Sequence, residues 1–126
     1  MVVTMNYIIA VILIFLCSSC SAVVPEIKNS VTGIYFFGEE TSAFVPCSSK
    51  EVWWIDGNNG AMNKIEDLYA SLVKPYGNFY IVVNGSFTPK QGNSDYVGIL
   101  EPSELLSYSI NKDMISKCVP NIEELK

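Results

Sequence analysis

The sequence predicts a mainly β fold: a small five-stranded barrel with one α-helix between its third and fourth strands, preceded by a signal peptide. Three observations predict it. Short runs rich in β-branched and aromatic residues are separated by Gly, Asn, Asp and Ser turns, the pattern of closely spaced antiparallel strands. Only Ile65 to Val73 carries a clear helical period. An unbroken apolar run, Tyr7 to Leu16, stands ahead of the first charged residue, Glu26.

Val31 to Phe37 reads as the first strand, and Gly33 inside it marks a bulge or a sharp bend. Gly38-Glu39-Glu40 is a turn. Ser42 to Cys47 is the second strand and Glu51 to Ile55 the third, closed by Asp56-Gly57-Asn58-Asn59-Gly60. In the helix, Ile65, Leu68, Tyr69, Leu72 and Val73 fall on one face. Asn63 and Glu66 suit a capping box at its start, and Pro75 with Gly77 stops it. Asn78 to Asn84 is the fourth strand, apolar on both alternating sets and so covered on both sides. Gly85 ends or bends it. Pro89 to Ser94 is a polar loop, and Asp95 to Leu100 is the fifth strand. Ser103 to Cys118 reads as irregular, with a short strand or a turn of helix in it. Three strands, a helix and two strands is the element order of the OB-fold. The barrel is placed at 31–118 and a frayed acidic tail at 119–126.

The N-terminal apolar run is too short to span a bilayer as a helix. It has the length of a signal-peptide core and leads into Ser18-Ser19-Cys20. Cysteine just after small residues resembles the lipobox of bacterial lipoproteins. The resemblance implies cleavage after residue 19, a covalent lipid on Cys20 that anchors the protein to a membrane, and a tether at 20–30. Simple secretion and a retained anchor are the other readings.

Export decides how the remaining cysteines are read. With Cys17 removed and Cys20 lipidated, Cys47 and Cys118 form an even pair in an oxidising compartment, which predicts a disulfide; two buried thiols are the alternative. The net charge of −5 and the lack of any Arg argue against nucleic-acid partners, which need a basic patch.

Little in the chain points to catalysis. There is no histidine, hence no Ser-His or Cys-His nucleophile pair and no His-based zinc site. Two cysteines are too few for a thiolate cage, and no metal or other cofactor is expected. No phosphate-binding loop occurs, because Gly57 to Gly60 lacks the following Lys. The acid pairs Glu39-Glu40, Glu66-Asp67 and Glu101-Glu104 are the sole enzymatic opening, that of a two-carboxylate glycosidase. Ordinary solvated acids are the preferred reading. Asn84-Gly85-Ser86 matches a glycosylation sequon and is read as a strand end. Trp53 and Trp54, adjacent on a strand, point to opposite faces. One can enter the core while the other stacks on a sugar or a protein partner; burial of both is the competing reading.

These elements resemble the C-terminal OB-type domain of NlpE-like outer-membrane lipoproteins. The resemblance is carried by Gly33-x-Tyr35, Phe44-x-x-Cys47, a Trp at 53 or 54, Ile65-Glu66-x-x-Tyr69 and Val82-Val83-Asn84-Gly85, and covers Val31 to Leu100. It implies a non-enzymatic envelope protein facing the periplasm. The sensing domain of two-domain members, with its Cys-x-x-Cys motif, has no counterpart among these residues, so signalling is not implied. The expected function is binding of an envelope protein or a cell-wall glycan. The alternative is inhibition of a lysozyme or protease through Gly57 to Gly60 or Pro89 to Ser94.

Overall fold

The computed structural model describes residues 30–90, 92 and 94–126. Its elements are β1 (Ser30–Gly38), β2 (Thr41–Pro46), β3 (Trp53–Ile55), α1 (Gly60–Leu72), β4 (Phe79–Pro89), β5 (Gly98–Ser109), α2 (Lys112–Cys118) and a 3-10 turn (Ile122–Leu125). The strands close a barrel in the order β1-β2-β3-β5-β4, and β4 returns to pair with β1. The β3–β5 pairing is parallel and the others antiparallel. This is the small OB-type barrel the element order predicts, with its helix between β3 and β4.

Alternation along the strands builds two cores. Tyr35, Phe44, Ile55, Phe79, Ile81, Val83 and Leu100 point into the barrel, and Met62, Ile65 and Tyr69 of α1 pack on them. The opposite face of β1 and β2 contributes Ile34, Phe36, Ala43 and Val45 to a second core, closed by Ile115, Cys118, Val119 and Ile122. Both faces of β1 and β2 are therefore buried, and both read as apolar.

The cover on the second core corrects two expectations. Ser103 to Cys118 is not irregular: β5 runs on to Ser109, and α2 follows. Residues 119–126 are not a frayed tail. Ile122 is buried, and the Lys126 ammonium donates to the Tyr76 carbonyl at 2.6 Å. Apolar burial holds this segment in place. The Cys47–Cys118 disulfide joins the end of β2 to α2, and Ser48 N–H donates to the Cys118 carbonyl beside it.

The strand and helix ends differ from expectation for local reasons. Residues 51 and 52 lie outside β3, which is only Trp53–Ile55. The helix begins at Gly60 rather than after Asn63. Its N-cap is Asn59, whose Oδ1 accepts from Met62 N–H while its Nδ2 donates to the Pro102 carbonyl at 2.8 Å. A cap tied to β5 fixes the helix start against the barrel. β4 continues through Gly85 to Pro89 with register shifts at Val82/Val83 and Asn84/Gly85. A Cβ on Gly85 would lie 2.6 Å from the Glu101 carbonyl oxygen, so glycine lets the two strands stay paired through the irregularity. Pro102, opposite Gly85, is tolerated inside β5 because ladder bonding is already interrupted there. β5 accordingly starts at Gly98, not Asp95, and does not stop at Leu100.

Candidate functional site

Trp53 and Trp54 point to opposite faces, as their adjacency on a strand requires. Both are half-buried, so neither is a plain core residue and neither stands free. Trp53 has the parity of Ile55 and lies at the barrel rim. Its ring meets Phe87 edge-on, with centroids 4.7 Å apart. The backbone beneath it belongs to Gly98, where a Cβ would overlap the Trp53 ring. Phe87 is 38% exposed and reaches back towards buried Phe44. Trp54 pairs with Ala43 in the ladder and faces out, edge-on to Tyr96 at 5.1 Å.

OB barrels commonly bind oligosaccharides and oligonucleotides on the outer face of strands 2 and 3. That face is closed here. Ala43 and Val45 lie under Ile115, Cys118, Val119 and Ile122, with Val52, Tyr96 and Leu125 packed around them. The disulfide clamps this cover to the end of β2. The aromatic rim of Trp53 and Phe87 stays outside the cover. Trp53 and Trp54 are the aromatic candidates legible in the sequence, whereas Phe87 lies past Gly85, where the fourth strand is expected to end or bend, and enters the rim because β4 runs on to Pro89.

A second feature lies where α1 meets the β1–β2 turn. A cleft of about 940 Å³ is lined by Tyr35, Phe37, Tyr69 and Tyr76, with Glu39, Glu40, Glu66 and Asp67 around it. Two of the three acid pairs noted in the sequence thus come together. The third does not: Glu101 and Glu104 lie on β5, where Glu104 accepts from Asn84 Nδ2. The cleft walls are held by backbone bonds. Tyr69 hydroxyl contacts the carbonyls of Gly77 (2.8 Å), Phe37 (3.2 Å) and Lys74 (3.3 Å), pinning the helix to both turns. Tyr76 N–H donates to Phe37 at 2.8 Å, its hydroxyl donates to the Glu39 carbonyl, and its ring covers Gly38. Tyr35 is fully buried and its hydroxyl has no hydrogen-bond partner. The neighbouring Ser42 hydroxyl spends its proton on the Ile55 carbonyl at 2.7 Å. Burial pushes the Tyr35 phenol well above its ordinary pKa, and the Glu66 charge adds to the rise.

The remaining sequence candidates fall elsewhere. Cys20, the signal peptide and the tether up to residue 29 lie outside the described residues, as do Gln91 and Asn93 of the Pro89 to Ser94 loop. Among the described residues no helix is long and apolar enough to cross a membrane. Asn84 is not at a strand end: it is buried within β4. The Gly57 to Gly60 loop is held to the barrel through Asn59.

The scan against family models finds no match, and the searches of curated proteins and of solved structures find none either.

Proposed function

We propose that this chain is a non-enzymatic, lipid-anchored protein of the bacterial cell envelope, resembling the NlpE-like lipoproteins and binding an envelope protein or a cell-wall glycan. The anchor is a covalent lipid on Cys20, on the outer membrane and facing the periplasm. The observation that carries the binding reading is the Trp53–Phe87 rim. A half-buried Trp wedged against an exposed Phe offers a rigid apolar platform for a sugar ring or a partner side chain. Its rigidity comes from the close seat on Gly98. The usual OB ligand face is occupied by the chain's own C-terminal segment, which favours the rim over that face.

Inhibition of a lysozyme or protease is the alternative, but no specific observation favours it. Of the two loops it would use, Gly57 to Gly60 is engaged as the helix cap. Co-sedimentation with purified cell-wall sacculi, run beside crosslinking to envelope proteins, tests the reading. Retention by either is expected. Retention by neither, together with inhibition of lysozyme in a turbidity assay, would contradict it.

A further inference from the structure

We infer that the open edge of β5, from Leu106 to Ile110, pairs antiparallel with the same segment of a second copy of this chain. The segment shares no residue with the Trp53–Phe87 rim, so the inference does not rest on the function proposed above.

The barrel closes through a short seam. β3 meets β5 only at Trp54–Ile99 and Ile55–Leu100, whereas β4 pairs with β5 from Gly98 to Ser109. From Glu101 onward, β5 has a strand on one side only among the described residues. In an antiparallel ladder alternate residues turn their N–H and C=O groups away from the partner strand. The uncovered side of β5 therefore carries a row of backbone donors and acceptors. The helix cap occupies the beginning of this stretch, where Asn59 Nδ2 bonds the Pro102 carbonyl, and Leu105 packs against the core. Leu106, Ser107 and Tyr108 beyond it are exposed.

An uncovered edge is a template for another strand, and proteins blunt such edges with charges, prolines or bulges. Here those devices sit in the first half of the stretch: Pro102, Glu104 and the register shift at Val82/Val83. Leu106 to Ile110 holds neither a charge nor a proline. Leu106, Tyr108 and Ile110 are 47%, 47% and 53% exposed. They fall at alternate positions, the spacing that places strand side chains on one face. The Tyr108 ring is seated against Phe79, with centroids 5.7 Å apart.

The edge's own sequence argues for a second copy as the occupant. Turned end for end about Tyr108, the segment matches itself: Leu106 lies opposite Ile110, and Tyr108 opposite its own copy. The same register lays the acidic end of one strand, Glu101 and Glu104, towards Lys112 of the other. A parallel pairing would instead stack those acids on their own copies, which is unfavourable. Antiparallel pairing of one edge with itself is a twofold contact that closes at two copies. Main-chain hydrogen bonds hold such an added strand, and the apolar cross-strand pairs set its register.

The test uses the full chain in detergent at a fixed detergent-to-protein ratio. Sedimentation should show one copy passing to two as concentration rises, and amide exchange at Leu106 to Ile110 should slow in step. Leu106→Lys and Tyr108→Lys, each shown folded by an unchanged far-ultraviolet spectrum, should weaken association about tenfold or more. Lys112→Glu should weaken it about threefold, and adding Glu104→Lys to that variant should restore it to within about twofold. A single copy at every concentration would overturn the proposal. So would association that the lysine variants leave unaltered, growth past two copies, or no rescue by the charge swap.

Discussion

Gly33 and Phe44 occupy one space: a Cβ on Gly33 would overlap the Phe44 ring and the Val45 carbonyl oxygen on the facing strand. Gly33 lies opposite Pro46 in the β1–β2 ladder, so the ring crosses diagonally over it inside the barrel. The glycine is there for close approach, and not for the bulge expected of it, since the register runs unbroken through it on both sides. Gly33→Ala should force the ring or the strand aside and cost about 1–3 kcal/mol. Urea unfolding of the variant checks this; an unchanged midpoint would show that the ring can move freely.

The Cys47–Cys118 disulfide closes a separation of 71 residues. A loop of that length contributes roughly 4 kcal/mol on the chain-entropy account. The paired Cys47→Ala, Cys118→Ala variant should lose stability of that order. Amide exchange should rise first in α2 and in Ile122–Leu125, since those segments lose their covalent tie. Mass spectrometry of the unreduced protein should find the two peptides linked, and two alkylatable thiols in the native protein would be the contrary result.

Tyr35→Phe removes a buried hydroxyl that has no partner, so at neutral pH its stability should stay within about 1 kcal/mol of the parent or rise. The alkaline limb gives a second reading. Burial raises the folded-state pKa of Tyr35 above its ordinary value of 10.0. A raised folded pKa means stability that is whole below the unfolded pKa and is lost as pH rises past it. Stability should therefore fall above about pH 10, and more gently in Tyr35→Phe. Tyr69, also raised by burial, keeps the slope from vanishing. Identical alkaline profiles would contradict this assignment.

The barrel was legible in the sequence where a strand had one clean period or an unambiguous stop. The apolar residues of β1, β2 and β4 and the helical face around Ile65 and Tyr69 follow from alternation and periodicity, and the pairing of Cys47 with Cys118 was expected on the premise of export, which leaves those two as an even pair. What was missed depends on contacts distant in sequence. Pro102 looks like a terminator, yet β5 runs through it because Gly85 and the β4–β5 register shift accommodate it. The C-terminal segment looks polar and frayed because only Ile115, Cys118, Val119 and Ile122 of it are buried, on a face that exists only once β1 and β2 have paired. Asn63 has the better local capping pattern. Asn59 caps the helix because Pro102, 43 residues away, accepts from its other side-chain atom. The cleft joins acids from a turn and a helix that no local pattern connects.

Cys20→Ala should move the protein from the membrane fraction to the soluble fraction and abolish incorporation of labelled palmitate. The expectation rests on Cys20 following Ser18-Ser19 and the apolar run before them. Unchanged palmitate labelling would place the lipid elsewhere.

The central claim is that an anchored barrel binds through the Trp53–Phe87 rim, and Phe87→Ala tests it most directly. Phe87 is 38% exposed, so truncation should cost roughly 1 kcal/mol or less in stability and leave the melting transition close to that of the parent. Crosslinked pull-downs from the native envelope, quantified against the parent chain, should lose about tenfold of the captured partner, the scale expected when a central aromatic contact is removed. Capture of the same partner at the same yield by a folded Phe87→Ala protein would contradict the account.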